Sequence, residues 1–391
     1  MRLTGRILFF LSLLLSCPAM AVQGGDTLNE KLTSTYSKVS KRFDRKFNDV
    51  SRYLAGMPPE KGCVLDTALL SNKDWRTYSD TIELDWKRYD TARYIVLKEW
   101  SYDEMQELNT KRFTFFYPFS GPDVLHGNMF FPNADTTIMI GLEPVGNIPF
   151  LGFTPKDSLR RYFATINNSL YAVLNYSFFR TLSMRVDLKS TQVNGTLPLL
   201  LLLLERTHNR VLNVRGVHVN NTGDLVFDDL QARKYVRTPG VEITYCRDDS
   251  THESKLYYFA VDISNSGLYG KNPEFLPYLK KMGKVFTLLK SASYLMYTPD
   301  FTLIRNLILD QSSIVLQDDS GMPHHMFTGG DWDYTLYGHY NGPIPLFSGK
   351  YQPGLVAEYK KDAAKVKPLS FGIGYKYHVG ESNLALYRKK K

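Results

Sequence analysis

The stretch RFTFFYPFSGPDVLHGNMFFPNADTTIMIGLEPVG, residues 112–146, decides the fold that the sequence predicts. Residues 113–117 and 136–142 are short runs rich in aromatic and β-branched residues, bounded by Gly, Pro or Asn, which is typical of strands. The segment between them is long enough for one short helix. A strand, a helix and a second strand in this order predict a right-handed βαβ unit with parallel strands.

Small polar and acidic residues follow both predicted strands. Ser120, Gly121 and Asp123 come after the first strand, and Glu143 comes after the second. Ligands collect outside the carboxyl ends of the strands in such sheets, so these residues form the best candidate site. A purely structural interpretation is also open, in which Asp123 caps the helix after a tight turn and Glu143 is a solvated loop acid.

Two helical patterns precede this unit. Apolar residues recur at three- and four-residue intervals over 27–55 and again over 72–108, and a Gly- and Pro-containing segment separates them. Trp75, Trp86 and Trp100 all lie on the second pattern. A tryptophan stripe can line a ligand groove, but at helical spacing it usually packs on the domain behind it. Residues 22–110 are therefore predicted to form a helical arm against the sheet domain.

The rest of the chain alternates helical and strand patterns. Six consecutive leucines, 199–204, predict a fully buried strand that ends at Glu205. Helices are predicted over 157–188 and 303–309. Further strands are predicted over 212–219, 225–227, 241–246, 256–263, 313–317, 334–340, 346–347, 354–359, 369–377 and 383–387.

The second half of the chain resembles the first in outline. The run LYYFAVD at 256–262 is an apolar strand that ends on an acid, as TIMIGLE at 137–143 does. An internal duplication with halves 111–240 and 241–391 accounts for this, and so does chance recurrence of short apolar runs. A duplication would bring Glu143, Asp262, Asp318 and Asp319 to equivalent strand ends around one crevice, where repulsion and partial burial raise at least one pKa.

Together these patterns predict an α/β protein. Its sheet is expected to be mixed, largely parallel and Rossmann-like, with two similar halves if the duplication is real, an N-terminal helical arm and an antiparallel C-terminal part. The chain divides into a leader, 1–21, the arm, 22–110, and the α/β domain, 111–391.

The first 21 residues are typical of an export signal, with two arginines, an apolar run and Ala19-Met20-Ala21 as a small-x-small cleavage site. An alternative is lipidation at Cys17, since Leu-Leu-Ser-Cys resembles a lipoprotein box. The mature protein is therefore expected to be periplasmic or secreted, or anchored through Cys17. No apolar run after the leader is long enough for a membrane-spanning helix.

Charge and glycine pattern narrow the function classes. The formal charge is +9, of which two arginines belong to the leader and four basic residues to the tail 388–391, so about +3 remains and nucleic acid is not expected as a partner. Phosphate-binding glycine motifs and a G-x-S-x-G elbow are missing, so no cofactor is expected.

His324 and His325 follow a Gly-Met-Pro turn near two aspartates, which favours a surface loop over a metal site. Cys63 and Cys246 are equally consistent with one disulfide and with two thiols.

Four motifs carry a family resemblance. YPFSGPD at 117–123, GLEPVG at 141–146, KSASYLM at 290–296 and LQDDSG at 316–321 resemble a set of exported bacterial proteins to which no activity is attached. The resemblance covers roughly residues 50–388. It implies a bacterial source and leaves the activity open.

Two functions are compatible with these features. In the first, the protein is a cell-envelope protein that binds a glycan, a lipid or a protein partner through the strand-end crevice or the tryptophan-bearing arm. In the second, it is an extracytoplasmic hydrolase that uses strand-end carboxylates as acid, base or metal ligands. The candidate site residues are Ser120, Asp123, Glu143, Asp262, Asp318 and Asp319.

Overall fold

A computed structural model of the chain contains a ten-stranded mixed sheet and ten α-helices among its described residues, so the protein is α/β. The expected leader, Cys17 and the first part of the predicted N-terminal helix lie outside the described residues. The structure describes residues 43–149, 159–179, 193–230, 236–361 and 365–391.

The N-terminal part of the described chain is helical, as predicted. Helices α1 (Arg45–Leu54), α2 (Thr67–Leu70) and α3 (Lys73–Tyr89) each begin after an Asp or Asn whose side chain accepts a hydrogen bond from a backbone N–H of the first turn. A π turn, Asp90–Tyr94, connects α3 to α4 (Ile95–Glu104). The long second helix of the arm is therefore confirmed, with one wide turn in its middle.

The strands of the sheet, among the described residues, are β1 (Phe113–Tyr117), β2 (Ala134–Gly141), β3 (Asn209–Val219), β4 (Leu225–Asp228), β5 (Gly240–Arg247), β6 (Ser254–Ala260), β7 (Val285–Leu289), β8 (Ser312–Gln317), β9 (Trp332–Gly338) and β10 (Asn383–Lys389). Their spatial order is β4-β3-β5-β6-β2-β1-β7-β8-β10-β9. The five central strands, from β6 to β8, are parallel, whereas the flanking strands are antiparallel. The βαβ unit is thus confirmed, and the strands predicted over 212–219, 225–227, 241–246 and 256–263 form two hairpins, β3–β4 and β5–β6.

The parallel strands have a doubly wound order. Numbered along the chain, they are the third, second, first, fourth and fifth parallel strands across the sheet. The order therefore reverses between β1 and β7. Connections diverge at such a switch point and leave a crevice outside the carboxyl ends of the two strands.

Both faces of the sheet are covered by helices. Besides the helices of the arm, these are α5 (Val124–Phe130), α6 (Leu159–Tyr176), α7 (Leu197–Arg206), α8 (Phe275–Lys280), α9 (Thr302–Gln311) and α10 (Pro353–Lys361). Phe115 and Phe116 are neighbours in β1 and belong to different apolar clusters, because side chains alternate across a strand. The arm, α5, α6 and α7 contribute to the first cluster, and α8, α9 and α10 contribute to the second.

The leucine run is a helix, so the strand predicted there is wrong. It forms most of α7, in which every residue is buried, and Pro198 lies in the first turn, where its missing N–H costs nothing. A run that is apolar on every side has no periodicity to separate a buried helix from a buried strand.

Three of the five predicted C-terminal strands are also wrong. Residues 346–347 lie in a 3₁₀ helix, Pro345–Lys350, and residues 354–359 lie in α10. Residues 369–377 form no strand and contain only an isolated β-bridge between Ile373 and Lys376. Phe371 and Ile373 nevertheless enter the core from this irregular backbone. Their alternation of apolar and other residues reflects burial without a strand ladder.

Trp100 is one of the residues through which the arm packs on the sheet domain. Its ring makes edge contacts with Phe130, Tyr337 and Phe371 at centroid distances of 5.7, 5.0 and 5.6 Å. Trp75 instead stacks on Tyr53, within the arm, at 5.0 Å. All three tryptophans are buried, as expected of packing residues. The expected packing on the sheet domain is confirmed for Trp100, whereas the ring of Trp75 stacks within the arm.

Two further expectations have structural outcomes. Cys63 is half-buried, Cys246 is buried, and neither takes part in a disulfide. Within the described ranges, no helix combines the length and the apolarity needed to cross a membrane.

We expect Trp100→Ala to lower the free energy of unfolding by about 3–5 kcal/mol, because the substitution removes a large buried side chain. Tyr102→Ala is the matched control, since Tyr102 lies on the same helix and is 64% exposed. We expect it to change the free energy by less than about 0.5 kcal/mol. Urea unfolding followed by circular dichroism measures both values, and equal effects would contradict docking through Trp100.

Candidate functional site

A cavity of about 440 Å³ opens at the carboxyl ends of β1, β2, β6 and β7. We call it the strand-end crevice. Four of the six predicted site residues line it, namely Ser120, Asp123, Glu143 and Asp262. The remaining two, Asp318 and Asp319, are buried behind its wall and are not among the lining residues.

The turn after β1 forms one edge of the crevice. Phe119 and Gly121 have φ angles of 61° and 51°, so the chain reverses within three residues of the end of β1. The Ser120 N–H donates to the carbonyl of Ile140 at 2.9 Å, and its hydroxyl lies 3.2 Å from the same oxygen. Ser120 therefore binds the turn to β2, and this role is structural rather than nucleophilic.

Asp123 is the centre of a buried polar network. Its carboxylate accepts a hydrogen bond from the Tyr117 hydroxyl at 2.8 Å, lies 2.8 Å from Nδ1 of His126 and pairs with Nζ of Lys290 at 2.9 Å. Burial raises the pKa of Asp123, but the contacts with His126 and Lys290 outweigh burial and hold the pKa well below its usual range. The group is therefore a carboxylate whose charge is matched by one buried ammonium.

His126 connects this carboxylate to Ser177. Burial lowers the pKa of His126, so its imidazole is neutral near pH 7, with Nδ1 donating to Asp123. Nε2 then accepts from the Ser177 hydroxyl at 3.2 Å. The connectivity is that of a charge-relay triad, but Ser177 is fully buried and does not line the crevice. The Ser177 carbonyl also accepts a hydrogen bond from Lys290. Ser177 therefore contacts both His126 and Lys290 and positions them beside Asp123.

Glu143 lies against the first turn. Its backbone carbonyl accepts a hydrogen bond from the Tyr258 hydroxyl at 2.9 Å, and the residue is 2% exposed. A Cβ built on Gly141 would lie 2.5 Å from Oε2 of Glu143 and 3.0 Å from Cα of Gly121. The interpretation of Glu143 as a solvated loop acid is therefore wrong, and only glycine at position 141 leaves room for this carboxylate.

Asp262 is the counterpart of Glu143 on the next strand. Gly141 and Ala260 are register partners in β2 and β6, and each acid follows its partner by two residues. Burial raises the pKa of Asp262, but hydrogen bonds from Ser264 and Lys271 outweigh it and lower the pKa overall. Glu143 and Asp262 therefore lie at the ends of neighbouring strands, at one edge of the sheet.

Asp318 and Asp319 support the crevice from behind. Asp318 accepts backbone N–H bonds from Ser291 and Ser320, both at 2.9 Å, and Asp319 accepts from Asn383 at 2.9 Å and from the Tyr294 hydroxyl. Burial, followed by the neighbouring Asp319 charge, raises the pKa of Asp318 to about 6. Burial also raises the pKa of Asp319. These raised pKa values belong to two adjacent acids buried behind the crevice, not to acids that meet across it.

These two acids hold a strained loop that forms part of the crevice wall. Ser291, Ser293 and Tyr294 have φ angles of 51°, 53° and 52°, in the left-handed region that disfavours side chains. Ser291 and Ser293 line the crevice. Asp318 and Asp319 therefore shape the site from outside it.

Sequence reasoning left three members of the network, His126, Lys290 and Ser177, out of the candidate set. A signal existed for Lys290, because it directly follows the apolar strand β7, as Asp318 follows β8. His126 and Ser177 are 51 residues apart and gave no comparable signal. Over the described residues, no group of three His, Cys, Asp or Glu side chains has the geometry to hold a metal ion.

Comparison with known proteins returned no relationship. The sequence matches no family model, and it matches neither a curated protein nor a solved structure. The site must therefore be interpreted from its own geometry.

We expect Lys290→Met to lower the free energy of unfolding by about 3–5 kcal/mol, because it leaves the Asp123 carboxylate buried without a counter-charge. Lys271→Met is the control, since Lys271 is 72% exposed and its pairing with Asp262 contributes at most about 1 kcal/mol. Adding Asp123→Asn to Lys290→Met should recover part of the loss. Chemical denaturation measures all three variants; similar values for the two lysine variants would rule out a tightly coupled buried pair.

We expect Asp318 to contribute stability that is lost as the pH rises from about 4 to about 6. The unfolded chain releases the Asp318 proton near pH 3.9, whereas the folded protein keeps it up to a pKa of about 6, so the folded state binds more protons in this window. Asp318→Asn should remove this contribution and make the slope of unfolding free energy against pH more positive in this window, whatever its absolute stability. The same substitution at the exposed Asp333 should leave the slope unchanged. An unchanged slope for Asp318→Asn would contradict the raised pKa.

Proposed function

We propose that this protein is an exported envelope or periplasmic protein that binds a small organic ligand in the strand-end crevice. The observation that carries the proposal is the position of the crevice. It lies where β1 and β7 are neighbours and the strand order reverses, which is the place where doubly wound sheets bind their ligands.

The chemistry of the walls supports small-molecule binding. Aromatic rings surround the crevice, and its floor carries a few polar groups, among them the paired Asp123 and Lys290. An apolar cavity with a small number of convergent polar groups is the usual form of a small-molecule site. The apolar walls provide affinity, and the fixed polar groups provide orientation.

The mouth of the crevice supports a ligand with an apolar part. Leu142 and Leu346 are 59% and 80% exposed, and both line the crevice. Each leaves apolar surface in water, and a ligand that covered it would gain roughly 25 cal/mol for each Å² removed from solvent. Two exposed leucines at the same opening therefore favour a crevice that binds a ligand over one that has no binding role.

Hydrolysis is supported less well. A general acid must hold a proton that it can release, whereas the low pKa of Asp123 keeps it ionised and its carboxylate is committed to Lys290. Asp318 has the more suitable pKa of about 6, but it does not line the crevice. Export itself rests on the sequence pattern of residues 1–21.

We expect the neutral apolar dye N-phenyl-1-naphthylamine to bind the protein with increased fluorescence. Leu142→Asp combined with Leu346→Asp should weaken this binding by about tenfold or more, since loss of apolar contact with one leucine is worth roughly 1.4 kcal/mol or more. Leu84→Asp is the matched control, because Leu84 is also 59% exposed and lies on α3, outside the crevice lining. No dye binding, or equal dye affinity in all variants, would contradict the proposal.

A further inference from the structure

We propose that the ligand of the strand-end crevice is a nucleoside that carries no phosphate, with its ribose hydroxyls bound by Glu143 and its base held by the aromatic walls. This inference rests on the binding function proposed above. Two observations support it. An acid lies at the strand end where a ribose would bind, and a carboxylate already occupies the place where a phosphate would bind.

The acid after β2 is in the position for a ribose. In doubly wound sheets that bind dinucleotides, an acidic residue about 20 residues beyond the first βα turn accepts hydrogen bonds from ribose hydroxyls. Glu143 follows the end of β2 by two residues and lines the crevice. Oε2 of Glu143 and Cα of Gly121 both pack closely around Gly141, so the acid lies beside the first turn. A ribose bound by this acid would therefore also lie next to the first turn.

The place of a phosphate is filled by Asp123. A dinucleotide site places its pyrophosphate at the start of the helix that follows the first strand. Here the Asp123 carboxylate occupies the start of α5 and accepts the His126 N–H at 3.3 Å. A second anion at this point would be repelled, because the nearby Lys290 already pairs with Asp123 at 2.9 Å.

The charge of the lining also opposes an anionic ligand. Among the described residues that line the crevice, Asp123, Glu143 and Asp262 are acids and Lys290 is the single base. The excess of acid disfavours phosphates and carboxylates and leaves hydroxyl groups, which can donate to carboxylates, as suitable partners. Neutral polyols and nucleosides satisfy this condition.

Flat rings distinguish a nucleoside from a simple sugar. Phe119 and Phe301 meet edge to face at 5.5 Å on one side of the crevice, and Tyr375 lies 5.1 Å from Phe178 and 5.3 Å from Phe347 on another. All five rings line the cavity. Aromatic side chains bind nucleobases by stacking with little dependence on base identity. The inference therefore specifies a ribonucleoside and leaves the base open.

The test is isothermal titration calorimetry of the full mature protein with adenosine, guanosine, cytidine and uridine. For the best of the four, we expect the 2′,3′-dideoxy analogue and the 5′-monophosphate each to bind at least tenfold more weakly. Glu143→Gln should reduce ribonucleoside affinity about tenfold and remove the preference over the dideoxy analogue. Glu205→Gln is the matched control, because Glu205 is also a buried acid but lies on α7 outside the crevice lining. It should bind like the unmodified protein.

The outcomes separate this inference from the binding function. If N-phenyl-1-naphthylamine binds the crevice and none of the four nucleosides does, the nucleoside inference is overturned while the crevice still binds ligands. A 5′-monophosphate or dideoxy analogue that binds as tightly as the nucleoside also overturns it. If neither the dye nor any nucleoside binds, both proposals fail. The comparison of nucleoside, dideoxy analogue and 5′-monophosphate needs only the unmodified protein. It therefore remains decisive even if the Glu143→Gln variant does not fold.

Discussion

The buried ion pair between Asp123 and Lys290 is the interaction on which the strand-end region depends. It joins the turn after β1 to the end of β7, the two strands at which the sheet order reverses. Both side chains are almost fully withdrawn from water, so each loses solvation that the pair must replace. Tyr117 and His126 supply the remaining hydrogen bonds to the carboxylate, and the Ser177 carbonyl accepts one from Lys290. The buried pair is stable because these hydrogen bonds replace the solvation that its two charged groups lose.

A second set of acids stabilises the same region differently. Asp318 and Asp319 face backbone N–H groups, hydroxyls and an amide. Burial raises the pKa values of both acids, and at Asp319 it outweighs the Lys376 charge, which lowers the pKa. They hold the loop after β7 in a left-handed conformation that its serine and tyrosine residues would otherwise avoid. One end of the sheet thus contains a charge-compensated acid at the crevice surface and a proton-retaining acid pair behind it. Their opposite pKa shifts arise because direct contacts with Lys290 and His126 outweigh burial at Asp123, whereas burial dominates at Asp318 and Asp319.

Glu143 and Asp262 show how strand register converts sequence into a site. Their strands pair in parallel with Gly141 opposite Ala260, so acids at the same distance beyond these residues arrive side by side at one edge. Glycine at 141 is required for a spatial reason, since any side chain there would meet the Glu143 carboxylate and the Tyr258 hydroxyl. The crevice depends on this small residue as much as on the acids that surround it.

Local sequence patterns were sufficient to predict the elements that are buried on one side only or that are joined by recognisable turn residues. The unit β1–α5–β2, the hairpins and the arm helices follow from alternation, helical spacing and turn residues, and four of the six candidate residues line the crevice because strand ends are visible in sequence. Fully buried or irregular segments were not predictable in this way. The leucines of α7 are apolar on every side, and Phe371 and Ile373 enter the core from coil, so their patterns do not report the backbone.

Tertiary structure alone decided the partners of the site residues. The Asp123 carboxylate is paired because Lys290, 167 positions later in the chain, follows a neighbouring strand, and Ser177 reaches His126 from the end of α6. The same topology withdrew Asp318 from the crevice by placing it behind the loop that it supports. Sequence determined where the strands end and which charges they carry there. Which charges meet, and which of them face a ligand, depended on strand order, because residues distant in the chain become neighbours only when the sheet is assembled.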